Sequence, residues 1–198
     1  MRASVRGVLA LVVLGLLAAA CDPGPSPSPA ATLNPGSLGP PVSLPPGATP
    51  LVRIDPTLLA ILPDSVADHS VLESTEVEGD ALANGSLASL SDGMVGAMAI
   101  DPGSGDFVIA IVVRLRGGAL TDTGFRDWRD TYDAGACGAQ GVTGNAQAQI
   151  GGRTVYIGTC GSGWHTYHTW IQDRNLLVSA SSGGAANLGQ LLFEHLRP

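Results

Sequence analysis

Apolar and polar residues alternate along four stretches in the second half of the chain, and short turns rich in glycine, aspartate and asparagine separate these stretches. Alternation with a period of two is typical of strands that bury one face, and turns of this length join antiparallel neighbours. The pattern therefore predicts a four-stranded meander. Its strands run over 145–150, 154–160, 164–172 and 176–181.

Two further apolar stretches, 95–100 and 107–115, flank the sequence Asp-Pro-Gly-Ser-Gly-Asp. Proline and glycine at this density favour a turn, so the two stretches are predicted to form a hairpin. Both faces of 107–115 are apolar, which is typical of a strand that lies inside a sheet and is covered on both sides.

Helical spacing marks the segment that follows Thr121-Asp122. Phe125, Trp128 and Tyr132 repeat at i, i+3 and i+7, which predicts a helix to about Asp133 with an aromatic stripe on one face. Its other side is predicted to carry arginine–aspartate ion pairs at i, i+4. Less distinct patterns indicate a short capped helix at 55–63, a strand at 71–77, a helix at 80–90 and a final helix at 185–196.

These elements together predict the fold class. Residues 51–198 are expected to form one α+β domain, an antiparallel sheet of about five or six strands with three or four helices packed on it. We name no family for this domain. Its activity therefore has to be argued from individual residues.

The N-terminal apolar run, 8–20, follows Arg2 and Arg6 and is too short to span a membrane well, so it indicates an export signal. Leu17-Ala18-Ala19-Ala20-Cys21 resembles the lipobox of bacterial lipoproteins. The resemblance implies that residues 1–20 are a removed signal peptide and that Cys21 becomes the acylated first residue. The alternative is an ordinary signal peptide cut at an Ala-x-Ala site, which would leave an odd cysteine in an oxidising compartment.

Residues 21–50 follow as a linker that contains ten of the chain's 14 prolines. Proline favours extended backbone without a core, so this stretch is expected to be a semi-rigid tether. Without Arg2 and Arg6 the chain keeps eight arginines and no lysine against 17 carboxylates, a formal charge of −9. An acidic protein repels phosphate backbones, so we expect no nucleic-acid partner.

Cys137 and Cys160 are the two cysteines outside the lipobox. In an exported protein they are expected to form a disulfide that pins the end of the aromatic helix to the sheet, with Gly158 allowing close approach. A catalytic thiol assisted by His165 or His168 is the alternative. A disulfide that closes the loop between Cys137 and Cys160 is expected to stabilise the fold by about 3 kcal/mol.

Candidate ligand-binding residues are aromatic. Trp164, His168 and Trp170 are predicted to share one strand face, and Trp128 lies on the aromatic helix. Such a strip binds a sugar or an apolar ligand if it is exposed and belongs to the core if it is buried. His165 and His168 point to opposite faces of a strand, so we expect no metal there, and no motif indicates a cofactor or catalytic residues.

The sequence thus predicts a lipid-anchored lipoprotein on the extracytoplasmic side of a bacterial cell membrane. Its favoured function is a non-enzymatic module that binds or senses a small molecule or an envelope protein. The first alternative is a small hydrolase that uses His165 or His168 with Asp130 or Asp133. The second alternative is a structural partner in a larger membrane complex.

Overall fold

A computed structural model describes residues 52–83, 87 and 90–197. The signal peptide, acylated cysteine and linker predicted for residues 1–50 lie outside this range. The described chain contains ten strands, numbered in chain order. They are β1 (Arg53–Ile54), β2 (Ser65–Val66), β3 (His69–Ser70), β4 (Leu72–Glu73), β5 (Ser91–Ile100), β6 (Phe107–Leu115), β7 (Val142–Ile150), β8 (Arg153–Cys160), β9 (His165–Ile171) and β10 (Leu176–Gly183).

Eight of these strands form one sheet in the order β1-β5-β6-β10-β9-β8-β7, with β4 also paired to β5. The α+β class is confirmed, but the predicted antiparallel sheet of five or six strands is wrong. The sheet is larger and mixed, because β1 pairs with β5 in parallel. β1 contains two residues, and a strand that short shows no alternation from which it could be predicted.

Three α-helices are described, α1 (Thr75–Leu82), α2 (Asp122–Cys137) and α3 (Leu188–Glu194), together with a 3-10 turn at Pro56–Ile61. The strand predicted at 71–77 is wrong beyond β4, because the Ser74 side chain accepts a hydrogen bond from the Val77 amide and starts α1 there. The helix predicted at 80–90 overlaps α1 only at 80–82, because α1 ends at Leu82. Residues 84–86 and 88–89 of that prediction lie outside the described residues.

Helices cover both faces of the sheet. On one face, α3 and the 3-10 turn pack on alternate residues of β5, β6, β8, β9 and β10. On the other face, α1 and α2 pack on the remaining residues of the same strands. β6 lies between β5 and β10 and is apolar on both faces, as predicted. No helix in the described part of the chain is long and apolar enough to cross a membrane.

The helix α2 is held to the sheet at both ends. Phe125 and Trp128 are buried near its start, and the predicted disulfide joins its last residue, Cys137, to Cys160 at the end of β8. Between them, a Cβ atom on Gly158 would lie 2.7 Å from the Asp133 Oδ2 atom, so only glycine allows this approach. The helix thus lies directly over β8 and β9.

Candidate functional site

Beneath α2, five side chains form a buried hydrogen-bonded network. His168 Nε2 lies 2.8 Å from Asp133 Oδ1, and His168 Nδ1 lies 2.9 Å from Ser179 Oγ. The Trp128 indole donates to Ser179 Oγ at 2.9 Å, and Thr166 Oγ1 donates to Asp133 Oδ1 at 2.5 Å. The helix supplies the indole and the carboxylate, whereas β9 and β10 supply the rest.

The hydrogen-bond partners in this network determine which atom carries each proton. With a neutral imidazole, the Nε2 hydrogen goes to Asp133, and the Ser179 hydroxyl donates to Nδ1 while it accepts from the Trp128 indole. A second ring proton would leave the Ser179 hydroxyl without an acceptor. The neutral ring is therefore the form that satisfies every donor.

Burial and hydrogen bonding set the two ionisation states. Burial of the ring lowers the pKa of His168 below its ordinary value of 6.5, and the Asp133 carboxylate only partly offsets it. Burial would raise the pKa of Asp133, but the hydrogen bonds from His168 and Thr166 outweigh it, so that pKa lies below its ordinary value. At neutral pH the network contains a carboxylate and a neutral imidazole.

Two neighbouring cavities open beside α2 and above this network. They have volumes of about 690 and 410 Å³, and Gln147 and Tyr156 line both. We call this pair of cavities the α2 groove. The larger cavity is also lined by Asp122, Phe125, Arg153, Thr154, Thr169, Trp170, Ile171, Gln172, Asp173 and Arg174, and the smaller by Arg126, Arg129, Asp130, Asp133, Asn145, Ala146, Ile157, Gly158 and His168.

Arginines are concentrated in the α2 groove. Four of them line it, two in each cavity, and the Arg129 guanidinium lies 4.0 Å from the centre of the Tyr156 ring. The predicted i, i+4 ion pairs on α2 are wrong, because no groove arginine lies within 4.0 Å of a carboxylate among the described residues. A guanidinium that contacts a ring face at the edge of a cavity, as that of Arg129 does, remains able to bind an anion.

Two buried nitrogen atoms of the groove have no hydrogen-bond partner in the described structure. They are Arg129 Nε and Trp170 Nε1, and both are donors. A buried donor without an acceptor costs about 1–3 kcal/mol, and most such groups in folded proteins have a partner. Each of the two belongs to a residue that lines a different cavity of the groove.

Comparison with known proteins supplies no analogy for this site. The chain matches no protein family, no curated protein and no solved structure. Its chemistry is therefore argued from its own residues.

The four predicted ligand-binding residues are not gathered in one place. His168 lines the smaller groove cavity and Trp170 the larger one, whereas Trp128 lines a third cavity, of about 440 Å³, between α1 and α2. Trp164 precedes β9 and packs edge-on against Phe107 with 41 % of its surface exposed. Only His168 and Trp170 contribute to the α2 groove.

The sequence analysis missed the groove arginines and the role of Ser179. A signal for two of the arginines was present, because Arg153 and Arg174 lie at the β7–β8 and β9–β10 turns. Alternate turns of a meander lie at the same end of the sheet, so these two arginines had to be neighbours. Within the described ranges, no three histidine, cysteine or acidic side chains form a set that could hold a metal ion.

Proposed function

We propose that this protein is a lipid-anchored binding module on the extracytoplasmic side of a bacterial membrane, and that the α2 groove is its binding site. The lipobox-like sequence ending at Cys21 supports the anchor, and the proline-rich linker gives the domain reach from the membrane. The disulfide Cys137–Cys160 agrees with an oxidising compartment.

One observation carries the proposal for the groove. It combines arginines that have no ion-pair partner with two buried donors that have no acceptor, in cavities large enough for a small ligand. The network below it already satisfies its own hydrogen bonds. A bound ligand that shifts the Arg129 and Trp170 side chains would supply the missing acceptors, and the network below would keep its own hydrogen bonds.

Filling the groove tests this proposal. Gln147 is exposed, lies on β7 and lines both cavities, so Gln147→Trp is expected to occupy the space without touching the core. The mature chain carrying Cys21→Ser is incubated with purified cell envelopes from the producing bacterium, and the retained fraction is measured. We expect Gln147→Trp to lower retention at least about tenfold, which corresponds to 1.4 kcal/mol.

The matched control is Gln149→Trp. Gln149 is exposed on the same face of the same strand but lines neither cavity. This variant should be retained like the unsubstituted chain. Equal retention of both tryptophan variants would exclude the α2 groove as the binding site.

A hydrolase is the second candidate, and the line of side chains from Asp133 through His168 to Ser179 favours it. The three groups follow one another as carboxylate, imidazole and hydroxyl. This is the arrangement that activates a serine as a nucleophile. Accessibility argues against it, because Ser179 is 0 % exposed and its oxygen accepts the Trp128 indole hydrogen. A fluorophosphonate probe that labels the native chain, but not Ser179→Ala, would establish the hydrolase; we expect no labelling.

A further inference from the structure

The two groove donors without a partner favour an anionic oxygen as their acceptor. Arg129 Nε and Trp170 Nε1 can each donate one hydrogen bond and accept none, so water-like or cationic groups satisfy them less well than carboxylate or phosphate oxygens. Four arginines line the same two cavities, half of the eight that the mature chain contains. Guanidinium groups bind carboxylates and phosphates through paired hydrogen bonds.

Carboxylates in the same lining restrict the anion further. Asp122 and Asp173 line the larger cavity, and Asp130 and Asp133 line the smaller one. A bare anion would be repelled by these groups. A ligand that also carries hydroxyls can donate to the aspartates while its anionic oxygens accept from the arginines. The amides of Gln147, Gln172 and Asn145 can bind further hydroxyls.

Each of the two cavities contains one pair of arginines, and this determines how many anionic groups the ligand carries. Arg153 and Arg174 line the larger cavity, whereas Arg126 and Arg129 line the smaller. We infer that the α2 groove binds an acidic polyhydroxylated oligomer, a hydroxyl-bearing chain with at least two anionic groups, one held by each arginine pair. This inference rests on the proposed function and names the ligand class of the same site. The anionic groups are carboxylates or phosphates.

Calorimetric titration of the mature chain carrying Cys21→Ser separates these chemistries. Trigalacturonate offers carboxylates on a hydroxylated chain, and a glycerol phosphate trimer offers phosphates on one. Maltotriose has the hydroxyls without charge, and tricarballylate has the charge without hydroxyls. We expect saturable binding of trigalacturonate or the glycerol phosphate trimer, and the one that binds more tightly identifies the anionic group. Maltotriose and tricarballylate should bind at least about tenfold more weakly.

Three arginine variants locate the binding. Arg126→Gln and Arg174→Gln each remove one exposed charge, from the smaller and the larger cavity respectively. Each is expected to weaken the acidic probe about tenfold, because each removes a charge-assisted contact. Arg53→Gln makes the same change in charge at an exposed residue of β1 that does not line the groove, and it should bind like the unsubstituted chain.

The outcomes distinguish the inference from the proposed function. Maltotriose binding as tightly as the acidic probes would overturn the inference on charge and leave a carbohydrate-binding groove. No saturable heat from any of the four probes at about 1 mM would overturn the ligand class, while the envelope-retention test of Gln147→Trp decides the groove separately. Equal losses of affinity for the acidic probe in Arg53→Gln and in the groove variants would also overturn the inference, because the effect would then come from net charge.

Discussion

His168 is the residue on which the interior beneath α2 depends. It is 1 % exposed, and both of its ring nitrogens are hydrogen-bonded, one to a carboxylate on the helix and one to a hydroxyl on β10. A satisfied polar network of this kind fixes the position of the helix over the sheet. The residues that line the smaller cavity are therefore held in place by a side chain that is itself inaccessible.

Protonation of His168 should make the domain less stable in mild acid. Its pKa is lowered on folding, so the native state binds a proton less tightly than the unfolded state. Its contribution to stability is fully present above the ordinary pKa of 6.5 and is lost as pH falls from there toward the lowered pKa. We expect the free energy of unfolding, measured with urea, to fall by up to about 1.4 kcal/mol per pH unit below 6.5.

Two histidine variants test whether His168 causes this dependence of the free energy of unfolding on pH. His168→Gln should be less stable at pH 7 but should show a flatter pH dependence of stability between about pH 5 and pH 6.5, the range in which histidine titrates. His195→Gln, which changes an exposed histidine bonded to the Leu191 carbonyl, should keep the slope. Asp133 does not enter this window, because its lowered pKa places its loss of stability below pH 3.8. An unchanged slope in His168→Gln would refute the assignment.

At the scale of elements, α2 joins the features that matter for binding. Its aromatic stripe and its start at Thr121 were predictable from helical spacing and capping, and it runs one turn further than predicted, to Cys137. Its inner face contains Trp128 and Asp133 of the network, and its outer edge contains the arginines of the smaller cavity. One helix therefore connects the core with the candidate site.

Removing the disulfide should loosen this helix. Cys137→Ala/Cys160→Ala opens a covalent loop with a sequence separation of 23 residues, and we expect it to lower the free energy of unfolding by about 3 kcal/mol. Urea denaturation of the double variant and of the oxidised chain measures this difference. Addition of a reductant should destabilise the unsubstituted chain alone. A loss below about 1 kcal/mol would show that the covalent link contributes little beyond packing.

The strands of the meander and the central hairpin were predictable because their alternation is long and their turns are marked by glycine. The two-residue strand β1 was not, because it forms only by pairing with β5. β4 was predicted only as part of a longer strand at 71–77. The start of α1 was missed at Ser74, a helix cap inside a stretch that alternates like a strand. Arg153 and Arg174 could have been placed together from the predicted meander. Arg126 and Arg129 were missed as part of the groove because local spacing does not determine where α2 lies over the sheet.

At the scale of the whole molecule, charge is distributed unevenly. The chain is acidic, with ten arginines against 17 aspartates and glutamates, and four of these arginines line one groove together with four aspartates. Surface charges beyond about 10 Å are largely screened at physiological salt, so an anionic ligand experiences the local arginines more than the net charge. Binding of such a ligand should therefore weaken as salt is raised, although the protein as a whole is an anion.

The anchor is testable by one substitution. If Cys21 carries acyl chains, the native protein partitions into the detergent phase, and Cys21→Ser should move it to the soluble fraction, because two or more chains hold a protein stably on a membrane. Phase separation in a cloud-point detergent followed by immunoblotting measures this. Unchanged partitioning of the variant would refute the anchor without bearing on the groove.

The most direct measurement of the central proposal, that the α2 groove is the binding site, is an NMR titration with soluble fragments of bacterial cell envelopes. The account predicts that the Arg129 Nε–H and Trp170 indole N–H resonances shift together as their missing acceptors are supplied. The indole resonance of Trp164, which lines neither groove cavity, should stay in place. A shift of Trp164 alone, or no shift at Arg129 and Trp170 while the fragments bind, would contradict the account.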